Sequence, residues 1–493
     1  MLSVISPMES QGRSNTYSHI LKYTGLFGGV QMLSILVSLV RNKLVALILG
    51  PYGMGLLSLF NSTTRFIGDA TNLGLPVSAV KDISAAYGAG DSASVDHYVL
   101  VIRSWSLLTA ILGFAVCLVL SPILSYWTFG WGNHILHYML LAPVVALSAV
   151  TGGELAVLKG VRQLRKLALI SILGIVAALV VSVPLYIVWE SAAIVPSLIL
   201  IALSQALITV AYSWRIFAPK FSWSRDVLGA GASMVKLGLA FLFAGMFGNG
   251  ADFLVRSFLN NVGSQDILGL YNAGFMMTVT YAGMVFSAME SDYFPRLSAV
   301  PSVGRELNDT VNRQIEVSLL IISPMLVFFQ VGLPLLLPLL YSHAFMAVLP
   351  MMQVTVLAMY LRAVKLPIAY LPLARSDSRS YLLMEGIYAV VFVVLAVVFF
   401  LRCGLTGLGY ALTTTAVLDF FMLTFYMRFR YGYRISRRVG VIAALQMPIA
   451  IVAFALTFVQ NGWIYWMVGL LMALLSTAIS LFLLRNRAGK NVE

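Results

Sequence analysis

Residues 159–225 decide the class of fold. They open on Lys159-Gly160-Val161-Arg162-Gln163-Leu164-Arg165-Lys166 and run through an apolar stretch over 167–189 that ends in Trp189. They turn near Glu190 without a Lys or Arg and return through a second apolar stretch, 192–214, to Arg215, Lys220 and Arg225. Two apolar runs of membrane-crossing length, basic residues at one end and tryptophan at the other, are the mark of a helical hairpin held in a bilayer with its basic end inside.

The rest of the chain repeats this pattern. Hydrophobic residues make up 60% and charged residues 10%, where soluble domains carry roughly 25% charged. The mean hydropathy of +0.91 excludes a string of soluble domains. At about 20 apolar residues per crossing, spans fall at about 20–49, 52–75, 98–121, 134–157, 167–189, 192–214, 233–257, 267–291, 312–338, 344–367, 380–401, 405–427, 439–459 and 462–484. The expected fold is therefore an all-α polytopic membrane protein of about fourteen helices. Counted with alternate loops, Lys81, Arg103, Lys236, Arg296, Arg362, Lys365, Arg375, Arg428 and Arg438 all fall on one side, while 121–133, 190–197 and 459–462 carry no base. Trp127, Trp131, Trp463 and Trp466 stand at those bare turns as interfacial anchors. Both termini are expected in the cytoplasm, and the polar opening up to Asn15 does not read as a cleaved signal peptide.

An internal repeat is visible. Val40-Arg41 followed by Gly55-Leu56 is echoed by Val255-Arg256 followed by Gly269-Leu270, each copy about six spans long and in the same orientation. This predicts a first lobe over 1–217, a linker over 218–232, a second lobe over 233–430 related by a pseudo-twofold axis, and two further spans with a tail over 431–493.

Charges inside the spans are the functional candidates, because an ionisable group in lipid is expensive. Arg65 and Asp69, and Asp252 and Arg256, are four residues apart and share a helix face. Each pair either neutralises itself or faces a watered cavity; in a cavity, Arg41, Arg65 and Arg256 suit an anionic phosphate, which the guanidinium fork binds with two donors. Asp69, Asp252, Glu290 and Asp419 are the candidates for coupling transport to a cation. Glu154, Asp292 and Glu385 read as anchors paired with a loop base. The glycines at 25, 28 and 29 and at 245, 248 and 250 read as helix packing.

Other classes are poorly supported. The net charge of +13 is spread over loops beside lipid headgroups rather than gathered in a basic stripe with aromatics, which excludes nucleic acid as a partner. Cys117 and Cys403 lie in apolar segments and build no disulfide framework. No HExxH, GxSxG, Walker A or CxxC occurs, so neither an enzyme nor a cofactor or metal site is expected. Energy must then come from an ion gradient, the membrane potential or the substrate gradient.

The stretch Leu47-Ile48-Leu49-Gly50-Pro51-Tyr52-Gly53-Met54-Gly55-Leu56-Leu57-Ser58 resembles the Leu-Gly-Pro-x-Gly-x-Gly-Leu signature of Wzx-type polysaccharide flippases, members of the multidrug/oligosaccharidyl-lipid/polysaccharide exporter superfamily. The resemblance implies two six-helix lobes around a central, cationic cavity. It also implies alternating-access transfer of an undecaprenyl-pyrophosphate oligosaccharide, such as an O-antigen repeat unit, to the outer leaflet of a bacterial inner membrane. Arg41, Arg65 and Arg256 match the family's cavity arginines by helix and depth. Membrane lipids, a polysaccharide polymerase and glycosyltransferases are the implied partners. The two extra spans leave a peptidoglycan-precursor flippase open; a cation-coupled multidrug exporter, a membrane-embedded polymerase or ligase and a scaffold subunit are the other readings.

Overall fold

The computed structural model describes residues 7–488 apart from 131–132, 281–282, 284–285, 287–288, 290–292, 295, 299, 301–303, 376 and 460–461; of the side chains before residue 36 it describes only Leu33. Among the described residues every regular element is helical. Nine helical stretches among them are long and apolar enough to cross a membrane, and Leu36–Thr71, Arg165–Trp214 and Ser378–Tyr431 each hold more than one predicted span. Predicted spans seven and eight fall on Arg225–Phe258 and on the helix beginning at Gln265. The chain is thus a multi-pass all-α membrane protein, as its hydropathy requires.

The first helix, α1, runs over Pro7–Thr71. Straight, its 65 residues would extend roughly 100 Å at 1.5 Å per residue, far beyond a bilayer. It breaks at Gly50, whose φ of 62° and ψ of −170° are open to glycine and closed to L side chains, and Pro51 restarts it with the φ that a first helical turn needs. The 54-residue helix Ser378–Tyr431 breaks in the same way at Gly404, φ 59°. Each merged helix is therefore two spans joined by a glycine bend.

By backbone packing the chain forms two compact units whose members do not follow chain order. The first gathers Met1–Ile48, Ile67–Ser121 and Ile135–Leu239. Within it the short helix α2, Leu75–Gly88, was not among the expected spans. It sets Leu75, Ala79, Ile83 and Ala86 along one face, an i, i+4 stripe that packs on Val99, Ile102 and Val157 of α3, Ser92–Thr128, and α4, Ile135–Gly160. After α5, Leu164–Trp189, and α6, Ile194–Trp214, the expected linker over 218–232 belongs to this unit and is laced to α3: Ser222 N–H donates to Ser104 Oγ at 3.0 Å and Trp105 Nε1 to the Val227 carbonyl at 3.2 Å.

The second unit gathers Leu49–Phe66, Pro122–His134 and Ala240–Glu493. Its helices include α7, Arg225–Phe258, from residue 240 on; α8, Gln265–Phe275, capped by Ser264 Oγ; α9, Arg305–Leu340; α10, Leu349–Ala374; and α11, Ser378–Tyr431. The chain leaving α11 is held by α9: Asn312 Nδ2 donates to the Arg434 carbonyl at 3.0 Å and Ser436 N–H donates to Asn312 Oδ1 at 2.9 Å. Two further helices, α12, Arg437–Ala455, and α13, Gly462–Ala488, pack against α9. They are fastened to one another by Gln446, which donates to Ser480 Oγ at 3.0 Å and accepts from Ser476 Oγ at 2.6 Å, a side-chain bond of the kind that joins helices where burial of apolar surface gives no drive.

The glycines of the sequence repeat meet each other. A Cβ on Gly269 would lie 1.7 Å from the Pro51 carbonyl oxygen and 3.0 Å from Gly55 N; one on Gly55 would lie 2.1 Å from the Gln265 carbonyl oxygen. Backbone thus touches backbone where the second span of each half begins. Gly269→Val is expected to destabilise the protein by about 3 kcal/mol or more, the top of the usual overpacking range, because the obstructing atoms are main chain and cannot yield. Thermal unfolding of the detergent-purified variant measures this; an unchanged midpoint would show that the contact is dispensable.

Candidate functional site

The candidate residues divide sharply in their surroundings. Arg256, on α7 near its C-terminal end, is 6% exposed. Its Nε lies 2.9 and 2.8 Å from the two oxygens of Asp252, and Nη1 donates to Asn272 Oδ1 of α8 at 2.8 Å. The rings of Tyr271 and Phe275 flank the guanidinium at 5.6 and 5.8 Å. The spacing of four residues thus closes the ion pair that the sequence suggests, and α8 supplies a third partner that the sequence does not reveal.

The other spaced pair behaves differently. Arg65 is exposed and makes no ion pair with any described residue, so the second expected i, i+4 bridge does not form. Asp69 accepts from Asn72 Nδ2 at 3.3 Å, and Asn72 Oδ1 accepts from Gly74 N–H at 2.8 Å, so this carboxylate serves the turn that ends α1. The helices that carry Arg65 and Arg256 meet directly, with the ring of Phe66 stacked on Phe253 at 5.3 Å and 1°. Arg41, in the first unit, donates from Nε to Ser182 Oγ at 3.2 Å.

Asp419 is 6% exposed and forms an ion pair with Lys365 Nζ. Lys365, counted above with a loop, lies instead within α10, as does Arg362. Its ammonium also faces the Tyr388 ring at 4.3 Å, and Glu385 lines the same small pocket. Asp419 thus pairs with a half-buried lysine of α10, and a second acid, Glu385 of α11, lines the same pocket. Glu290 falls outside the described residues.

The most complete polar cluster was not singled out as functional. Arg103 and Glu154, side chains 2% and 5% exposed, pair through Nε–Oε1 at 2.9 Å and Nη2–Oε2 at 3.2 Å. Arg103 Nη1 also donates to the carbonyls of Phe217 and Ala218 at 3.1 and 2.8 Å, while Trp214 Nε1 and Ser213 Oγ donate to Glu154 at 2.9 and 2.5 Å. Every lone pair and proton that burial would strand has a partner, which is the condition under which a buried ion pair is tolerated. The expectation that Glu154 pairs with a base is met, but by Arg103 of α3. The only hint in the sequence was that Arg103 already lies inside the third predicted span.

A cavity of about 540 Å³ opens beside the C-terminal part of α7, lined by Tyr126, Trp127, Gly130, Phe253, Leu254, Ser257 and Asn261. Ser257 Oγ donates to the Trp127 carbonyl at 2.7 Å and Asn260 Nδ2 to the Thr128 carbonyl at 2.7 Å, which ties the end of α3 to α7. An apolar cavity of about 340 Å³, bounded by Phe66, Phe247 and Val390 among others, shares Trp127, Phe253 and Leu254 with the first.

Comparison with known proteins agrees with this architecture. The model of a family described as polysaccharide biosynthesis protein matches residues 91–350. No curated protein sequence matches the chain. Among solved structures, the lipid II flippase MurJ in an inward closed conformation superposes with a TM-score of 0.72 at 13% identity, covering 94% of this chain and 99% of that one. An inward-facing multidrug resistance MATE family transporter of the MOP superfamily gives 0.60 at 15% identity over 83% and 96%. A MOP superfamily transporter from Pyrococcus furiosus gives 0.51 at 15% identity over 83% and 96%. At these identities the likeness is one of fold.

The Arg103–Glu154 cluster carries a test of its structural role. Arg103→Met or Glu154→Gln alone is expected to cost about 3–5 kcal/mol, because each strands a buried charge, whereas the paired change to Met and Leu recovers most of the loss. Unfolding midpoints of the three variants decide it: a double variant no better than the singles would mean that the charges do more than neutralise each other.

Proposed function

The chain belongs to the polysaccharide biosynthesis protein family, and from that premise and its transporter fold we propose that it flips a polyprenyl-pyrophosphate oligosaccharide from the cytoplasmic to the outer leaflet of a bacterial inner membrane. The substrate problem is physical: a pyrophosphate sugar headgroup cannot pass about 30 Å of hydrocarbon unaided. A protein that carries it must offer polar, positively charged surface while the polyprenyl tail stays in the bilayer.

The observation that carries this reading is Arg65: an exposed guanidinium in an apolar membrane-spanning helix, without an ion pair among the described residues. Hydrocarbon is not a tolerable neighbour for it; water and an anion are. Arg256, on the helix that abuts it through Phe66 and Phe253, supplies a second fixed guanidinium, and Arg41, in the first unit, is by itself a further proposed phosphate contact. Arginine stays charged throughout such a cycle and grips phosphate with two parallel donors. In this reading transport proceeds by alternating access, both termini lie in the cytoplasm, and an ion gradient or the membrane potential drives the cycle. Asp69, Asp252, Glu290 and Asp419 are the proposed sites of coupling to a cation, Asp252 in those steps where it is released from Arg256. A polymerase and glycosyltransferases of the same route are the proposed partners.

Cells lacking the protein are expected to accumulate a polyprenyl-pyrophosphate oligosaccharide facing the cytoplasm, detected and identified by lipid mass spectrometry. Arg256→Ala, produced at parental level in the membrane, is expected to leave the lipid accumulated. If no such lipid builds up and sensitivity to drugs or dyes rises instead, the multidrug-exporter reading takes its place.

A further inference from the structure

Asp252 and Arg256 are not equal partners. Arg256 is held from three directions: by Asp252, by Asn272 and by the two rings of Tyr271 and Phe275. Asp252 has one partner, for both of its oxygens hydrogen-bond to Arg256 Nε and to no other described group. The arginine side chain is 7% exposed and the aspartate 28%. The cation is therefore a fixed fitting and the carboxylate a loosely tied anion at its accessible edge. Nη2 of Arg256 makes no hydrogen bond to a described residue, so the fork retains unused donors beside the carboxylate.

A carboxylate and a phosphate present an arginine with the same feature, two anionic oxygens at the spacing of its donors. Pyrophosphate brings more charge and more acceptors, so it outcompetes a single carboxylate for the same fork, while a weak monoanion does not. We propose that Asp252 is a built-in stand-in for the substrate's pyrophosphate, occupying the Arg256 guanidinium in the empty transporter and yielding to phosphate oxygens when substrate arrives. This inference rests on the flippase reading and gives Asp252 a defined task within it.

The arrangement answers two demands at once. An empty site with a bare buried arginine would carry the penalty of an uncompensated charge; a carboxylate one helical turn away removes that penalty without engaging another helix. The stand-in also sets a threshold, because any anion must bind the fork better than Asp252 does before it is held. Specificity against common anions then comes from competition rather than from pocket shape.

The test is isothermal titration of the full-length, detergent-purified protein with inorganic pyrophosphate, and with sulfate as the weaker competitor. Asp252→Asn is expected to bind pyrophosphate on the order of tenfold more tightly than the parent, the size of coupling usual for contacting charges, and to discriminate less against sulfate. Asp252→Glu keeps a competing charge and is expected to stay near the parent. Should Asp252→Asn fail to fold, Asp252→Ser removes the same charge with a smaller side chain and is expected to show the same gain. Parental or weaker affinity in the charge-removed variant overturns the proposal, as does an absence of pyrophosphate binding in parent and variant alike. The flippase reading is judged separately by the lipid that accumulates in cells lacking the protein, so the two failures are distinct.

Discussion

The second unit depends on how closely two backbones approach. Helices in hydrocarbon gain nothing from hiding apolar surface, since lipid is as apolar as leucine; they gain from packing, and packing is best where side chains do not intervene. Gly55 and Gly269 provide that place, with the Pro51 carbonyl where a Cβ of residue 269 would stand. These are the glycines of the two Gly-Leu stretches matched in the sequence, and the two stretches make contact. The Gly-Leu element of the sequence signature is therefore explained by packing, and the substrate need not touch it.

Once the backbone is fixed, the ionisable groups sort by how fully they are matched. Arg103 and Glu154 are sealed and saturated, with carbonyls, an indole and a hydroxyl taking up what the ion pair leaves over. Asp419 is buried and its partner Lys365 half-buried, and they share their pocket with a second acid, Glu385. Asp252 and Arg256 are closed on one side only, and Arg65 is open. Depth in the sequence does not predict this order. A saturated pair has nothing left to offer a ligand, whereas a half-open one has, so the search for transport chemistry narrows to α7 and its neighbour at Arg65.

Much of the architecture was legible in the sequence because hydropathy sums over twenty residues and forgives local error. The fourteen spans lie almost wholly on helix where the residues are described, even on either side of Gly50. What the pattern missed depends on helix rotation and on distant partners. Lys365 and Arg103 read as loop bases because a charge near a span end looks the same whether it faces headgroups or a carboxylate on another helix. Helix α2 escaped because it is too short and too polar to be a span, although its stripe at 75, 79, 83 and 86 was there to be found. The i, i+4 rule succeeded at Asp252–Arg256 and failed at Arg65–Asp69, since local spacing permits a pair but neighbours decide it: Asn272 helps to fix Arg256, while Asn72 draws on Asp69.

Both halves of the chain hold the segment that follows their sixth span, and they do so with different chemistry. In the first half, Arg103 of the third span grasps the carbonyls of Phe217 and Ala218 just beyond the sixth. In the second half, Asn312 of the ninth span grasps Arg434 and Ser436 just beyond the twelfth. One clasp is ionic and needs Glu154 to balance it; the other is neutral and needs no counter-charge, because an amide offers donor and acceptor together. The same geometric demand, that the chain leaving six spans be held to the third of them, has thus been met by two unrelated side chains. A demand on shape can be met by side chains that share no chemistry, and a match of residue types along the sequence then finds little to align.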